Sequence, residues 1–391
     1  MVDERDGTGL RARLLGGAKR LVVKLGSSLL APEGSGLRTE RLDALAAQVA
    51  ELHAQGREVV LVSSGAIASG MRLLKLDRRP EAVEEKQALA AVGQPDLMRA
   101  YAEAFGHHGL FTGQVLLTTD DILARKRFLN ARKGLLALLA RGVVPIVNEN
   151  DMVAVDEIRL GDNDLLSAHV AVLVQADALI LLTDVDGLHT GRPGSDAGAR
   201  RLDIVEAVTP EVKRMAGRAS GSGVGSGGMQ TKVQAAEQVT RAGHAVLIAR
   251  GTEERILLRA VGGEAVGTLF LPAGTRMPSR KRWLAFGVKT HGAIVVDAGA
   301  RAALVTGGKS LLPKGIQRVV GAFGRDEAVS LEGPDGVEFA RGLAAYSAEE
   351  VGRIKGLPAK EIAKALGYTR GDEVVHRDRM VLLTGEGRSP S

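Results

Sequence analysis

From residue 20 to residue 248, short apolar runs alternate with longer stretches whose apolar residues recur at helical spacing. Alternation of this kind predicts βαβ units around a parallel sheet, since each strand needs a crossover helix to bring the chain back in the same direction. Strands are predicted at 21–25, 59–62, 115–117, 143–147, 178–182 and 245–248, and helices at 42–55, 132–140 and 165–174. Gly56 stops the first of these helices, and Ser63-Ser64-Gly65-Ala66 turns the second strand into another. Right-handed crossovers then gather strand ends and helix N-termini on one edge of the sheet, where ligands bind in open α/β folds.

Over 271–282 the pattern breaks. Pro272, Gly274 and Pro278 interrupt regular structure, and Arg280-Lys281-Arg282 adds charge. Beyond that point, short strands are predicted at 293–296, 328–331 and 380–383, with helical pieces at 298–306 and 347–354. The expected organisation is a loose N-terminal extension over 1–19, a large α/β domain over 20–272, a linker over 273–289 and a small mostly-β module over 290–385.

Composition narrows the function classes. The chain of 391 residues has no cysteine, which excludes a disulfide framework and any Cys-based zinc site. Aromatic residues, at 3%, leave little surface for stacking bases, while a net charge of +6 favours anionic partners such as nucleic acid or phosphate-bearing ligands. There is no 18-residue apolar span, and residues 1–20 are charged and Gly-rich rather than signal-like. A cytoplasmic protein without a membrane segment is expected.

Candidate chemistry concentrates at the predicted strand ends. Asn148-Glu149-Asn150-Asp151 and Gly161-Asp162-Asn163-Asp164 follow the 143–147 strand, and their carboxylates and amides suit an ammonium group, a lysine or a metal. A plain polar turn accounts for the same residues. In Val23-Lys24-Leu25-Gly26-Ser27-Ser28, a lysine leaves a strand just before a glycine, as a group neutralising a transferring phosphoryl would; a lysine snorkelling from the strand is the alternative. Ser64 lies at a helix N-terminus, either as an anion site or as a simple N-cap. Thr183-Asp184 closes the 178–182 run as a candidate nucleotide contact. The run Ser222-Gly223-Val224-Gly225-Ser226-Gly227-Gly228-Met229-Gln230-Thr231-Lys232 enters a helix, so its amides can cradle phosphates while Lys232 supplies positive charge. It is a poor dinucleotide fingerprint, because no strand precedes it directly. Gly308-Lys309-Ser310 is not a P-loop, since Ala303 occupies the required glycine position. The eight histidines show no ligand spacing, so no metal ligands are assigned.

Taken in order, VVKLGSS around Lys24, SSGAIASG around Ser64, NEND with Asp151, GDND with Asn163, Thr183-Asp184 and SGGMQTK over 226–232 resemble the amino-acid kinase family. Lys281-Arg282-Trp283 and Leu311-Leu312-Pro313-Lys314-Gly315-Ile316 point to its branch with a C-terminal PUA domain. The resemblance covers roughly residues 21–383, with Ser27 and Gln230 as small departures. It implies a three-layer αβα sandwich around a mainly parallel sheet, plus the PUA domain. The implied reaction is ATP-dependent phosphorylation of the side-chain carboxylate of L-glutamate to L-glutamyl 5-phosphate, opening proline synthesis. Lys24 and Lys232 would flank the transferring group with Asp164 between them, and Ser64, Asp151 and Asn163 would bind the amino acid. ATP would lie against Lys24, Thr183, Asp184, Ser226, Gly227, Gly228, Met229, Gln230, Thr231 and Lys232. Mg2+ would be held mainly through the ATP phosphates. The resemblance also implies proline as inhibitor and a homo-oligomer, and RNA binding by the PUA domain is not expected.

Overall fold

A computed structural model describes residues 7–30, 37–154, 163–192, 196, 198–219, 228–273, 284 and 290–383. The chain divides into two compact units, Met1–Arg276 and Met277–Ser391.

The first unit is built on eight strands: β1 (Arg20–Leu25), β2 (Glu58–Val62), β3 (Thr112–Leu117), β4 (Val144–Glu149), β5 (Ala178–Thr183), β6 (Ile204–Val205), β7 (Ala245–Arg250) and β8 (Thr268–Phe270). Their order in the sheet is β3-β4-β2-β1-β5-β7-β8-β6, and every pairing is parallel except β7 with β8. Central strands of such a sheet are covered on both faces, which explains why β5 is apolar and buried throughout. Side chains alternate across β1. Leu21, Val23 and Leu25 join the core beneath the helices Thr39–Ala54, Val83–Gly106 and Ile256–Val261. Val22 and Lys24 therefore face the opposite layer, where the helix Asn163–Val174 packs on β1 and is flanked by Arg125–Leu139 and Met229–Arg241. This is the three-layer, mainly parallel sandwich that the sequence implied.

Five of the six strands predicted for this unit lie inside observed ones, and the sixth, 143–147, begins one residue before β4. The two that escaped prediction, β6 and β8, are two and three residues long, too short to carry a period. Also unpredicted is the helix Val83–Gly106, which contains Pro95 and several small residues on its buried side. Its contact with the helix Ala66–Leu73 is backbone-close: a Cβ on Gly93 would stand 1.9 Å from the Ala66 carbonyl oxygen, and one on Gly70 would stand 2.0 Å from that of Leu89. Only glycine fits at either position.

The expected loose extension needs correction. Residues Gly7–Arg11 and Ala12–Gly16 are helical, Leu15 is fully buried, and Arg11 is 1% exposed. The Arg11 guanidinium donates to the carbonyl oxygens of Val266 at 2.6 Å, Asp203 at 2.7 Å and Gly267 at 3.2 Å. Composition alone gave no hint of these distant acceptors. Arg11→Met is expected to lower the unfolding free energy by about 2–4 kcal/mol, because it strips partners from buried carbonyls. A urea midpoint equal to the parent's would show that this clasp adds nothing.

The second unit has the sheet order β10-β9-β11-β12-β13, formed by β9 (Gly292–Val296), β10 (Ile316–Gly321), β11 (Ala328–Glu332), β12 (Glu338–Leu343) and β13 (Met380–Leu382). Only β9 and β11 pair in parallel. Ile294, Val296, Val329, Leu331, Phe339 and Tyr346 centre its core. The helix Ala298–Val305 is capped by Asp297, and Ala348–Ile354 by a reciprocal Ser347 and Glu350 box.

Candidate active site

Because β1, β2, β4 and β5 are parallel, their carboxyl ends lie along one edge of the first unit. The chain turns from β1 to β2 on one side and later returns to β5 on the other, so β1 and β5 mark the point where the strand order reverses. Lys24 stands there, one residue from the end of β1.

The helix Asn163–Val174 sends Asp164 from its first turn to meet that lysine. Lys24 Nζ lies 2.8 Å from Asp164 Oδ1, and Lys232 Nζ, from the first turns of the helix Met229–Arg241, lies 3.0 Å from Asp164 Oδ2. Asp164 is fully buried, with Lys24 1% and Lys232 5% exposed. Burial alone would push the carboxyl pKa up, but the charges and hydrogen bonds of the two lysines outweigh it and hold the carboxyl down at about 2. The Thr231 hydroxyl lies 2.8 Å from both Asp164 Oδ2 and the Gly228 carbonyl, and its single proton serves one at a time. The outcome is a carboxylate that carries two buried ammonium groups at the carboxyl edge of the sheet.

Asn163 precedes Asp164 and turns to the end of β2. Its Nδ2 donates to the Ser63 carbonyl, to Ser64 Oγ at 3.0 Å and to Asn148 Oδ1 at 2.9 Å. Gly65, at φ 111°, is in the left-handed region that favours glycine, and starts the helix Ala66–Leu73 immediately after Ser64. Beneath this turn Ser63 Oγ is 2.8 Å from the Tyr101 hydroxyl, which burial pushes above its ordinary titration range and keeps neutral. Asp151 sits partly exposed in the turn after β4.

Along the same edge, Thr183 ends β5 and donates to Asp184 Oδ1 at 2.9 Å. The helix Met229–Arg241 begins after Gly228 with no side-chain cap, which leaves its first amides available to an anion. Met229 is buried, Gln230 exposed and Thr231 partly buried. Ser226 and Gly227, with the rest of the glycine run before them, lie outside the described residues, as do Gly161 and Asp162.

The structure thus brings Lys24, Asp164, Lys232 and Thr231 into one cluster and Ser64 with Asn163 into a second. Two contributors were not anticipated. Thr231 was expected only at the nucleotide, and its bond to Asp164 depends on a helix that is remote in sequence. Gln94, which accepts from Asn148 Nδ2 at 2.8 Å, carried no local signal at all.

A model of the amino acid kinase family matches residues 19–250, and one of the PUA domain matches residues 292–366. The chain is 53% identical over 374 residues to a glutamate 5-kinase of Geobacter sp. strain M21, covering 96% of this chain and 100% of that protein. The chain belongs to the glutamate 5-kinase family. Other family members are similarly close: the glutamate 5-kinase of Citrifermentans bemidjiense is 52% identical over 374 residues, covering 96% of this chain and 100% of its own, and that of Burkholderia multivorans is 50% identical over 370 residues, covering 95% and 99%. Membership in the glutamate 5-kinase family agrees with both units, since β1 to β7 of the first lie within the kinase match and β9 to β12 of the second lie within the PUA match.

Proposed function

We propose that this chain transfers the terminal phosphoryl group of ATP to the side-chain carboxylate of L-glutamate, forming L-glutamyl 5-phosphate, the first step of proline synthesis from glutamate. The observation that carries this reading is the buried Lys24-Asp164-Lys232 cluster next to the Asn163-Ser64 turn. Phosphoryl transfer asks a protein for positioning and charge stabilisation, and the glutamate carboxylate is ionised at neutral pH, so no general base is needed.

Lys24 and Lys232 stabilise charge spreading over the transferred group, while Asp164 fixes both ammonium groups and Thr231 steadies Asp164. Ser64, Asp151 and Asn163 bind the amino acid. The adenine nucleotide lies along Thr183, Asp184 and the segment 226–232, with its phosphates at the uncapped N-terminus of the helix Met229–Arg241. Mg2+ would accompany ATP, held mainly through its phosphates, and would supply charge neutralisation there. In support, Asp164 is already engaged by two lysines.

Proline would inhibit where the backbone groups of glutamate bind, since the two share an α-carboxylate and an α-nitrogen. A homo-oligomer suits the sheet edge at β3, whose residues carry no charge and which is preceded by the exposed Phe111. No helix among the described residues is long and apolar enough to cross a membrane, and a cytoplasmic enzyme fits its substrates. The functional boundaries are placed at 20–272 for catalysis and 290–385 for the PUA domain.

One assay tests the reading. The chain is incubated with ATP, Mg2+ and glutamate, aspartate or N-acetylglutamate, and acyl phosphate is trapped with hydroxylamine. Hydroxamate from glutamate alone is expected. Product from another acid instead would reassign the substrate, and no product from any acid, together with salt-sensitive RNA binding, would favour an RNA-binding function.

A further inference from the structure

Behind Asn163 runs a chain of amides whose direction is set by groups that cannot reverse. The Ser63 carbonyl can only accept, so Asn163 must turn Nδ2 toward it. The Glu149 backbone amide can only donate, at 2.9 Å, so Asn148 must turn Oδ1 toward both it and Asn163. Asn148 Nδ2 is then directed away from the site, and it donates to Gln94 Oε1 at 2.8 Å. At the end of the chain next to Ser64, Asn163 Oδ1 receives no donor among the described residues. At the buried end, Gln94 Nε2 has no acceptor among them either.

An unpaired buried N–H is costly, so the presence of glutamine here has to be explained by its oxygen. A methionine on the same helix face would fill the space without that cost. Gln94 also stands next to Gly93, whose missing Cβ lets the helix Val83–Gly106 approach Ala66, the first residue of the helix that follows Ser64 and Gly65.

We propose that Gln94 is a positioning residue of the amino-acid site. By accepting from Asn148 it braces the asparagine pair in the orientation that the backbone groups set and that presents Asn163 Oδ1 to an ammonium group, so the site favours an α-amino acid over the same diacid without the amino group. This rests on the assignment of Asn163 to the amino acid. With the Gln94 acceptor gone, Asn148 keeps the Glu149 amide but loses the partner of its Nδ2, so Asn148, and through it Asn163, is held less firmly.

The test compares glutamate as substrate with glutarate as competitive inhibitor in full-length Gln94→Met, Gln94→Glu, Asn163→Ala and the Gln94→Met/Asn163→Ala pair. Gln94→Met is expected to raise the glutamate KM roughly tenfold, the scale of one buried hydrogen bond, with kcat and the ATP KM within about twofold. Its glutarate inhibition constant stays near the parent value, so discrimination for the amino group falls by the same factor. Gln94→Glu keeps an acceptor oxygen and retains that discrimination, even though its charge weakens both diacids. Adding Gln94→Met to Asn163→Ala changes nothing further, because the first acts through the second. Should Gln94→Met not fold, Gln94→Ala, which leaves room for water, is measured for the same ratio. Unchanged discrimination in the glutamine variant, with a raised glutamate KM in Asn163→Ala, would overturn the relay alone. An unchanged glutamate KM in Asn163→Ala would remove the assignment on which the relay stands.

Discussion

Asp164→Ala is expected to abolish nearly all turnover and to lower stability by about 3–5 kcal/mol, since it leaves two buried ammonium groups without their shared carboxylate. Asp164→Asn isolates the part that charge contributes to both, because it preserves the shape while removing the charge that holds both lysines. The pH dependence has a definite sign. A carboxyl held at about 2 when folded, against an ordinary value near 3.8, contributes stability above that ordinary value, and the contribution is lost as pH falls through the folded value. The parent should therefore lose this increment between about pH 4 and pH 2, and Asp164→Asn should lack that part of the acid transition. Chemical denaturation at several pH values, alongside the hydroxamate assay, measures both. A variant as stable as the parent, with an unchanged acid limb, would refute the role of Asp164 as the shared anchor.

The second large effect belongs to Lys24. Lys24→Met is expected to reduce kcat roughly a hundredfold or more, the scale of removing one group that stabilises charge in the transition state. Methionine fills the buried volume, and Asp164 keeps Lys232 as a partner, so the fold should survive. Circular dichroism establishes folding, and steady-state kinetics establishes the loss. A folded variant that turns over within tenfold of the parent would rule out Lys24 as a transition-state group.

How much of this was legible in the sequence depends on how far each contact reaches. β1, β2, β4, β5 and β7 could be read because a strand buried on both faces is a continuous apolar run. The strand β12 was missed because its sequence, EFARGL, carries charges that satisfy each other locally, with Arg341 Nε donating to Glu338 Oε1 at 2.8 Å. In the site, Lys24, Asn163, Asp164 and Lys232 were visible because each stands at a strand end or in the first turns of a helix, where position itself signals chemistry. Gln94 lies mid-helix, and its partner Asn148 is 54 residues away, so neither period nor motif could reveal the pair. Arg11 escaped for the same reason: its acceptors are backbone carbonyls, which have no sequence identity.

Arg11 has a further consequence. The guanidinium joins residue 11 to the Val266 carbonyl, 255 positions along the chain, and so ties the start of the first unit to β8 near its end. Closing so long a loop is entropically expensive once, but the cost grows only slowly with length, and a segment tied down in this way frays less readily than one left loose. Opening either terminus then means opening both. The first unit should behave as one cooperative block in hydrogen exchange, with amides near Leu15 and near Leu269 sharing a single protection level instead of forming a weak margin around a stronger centre.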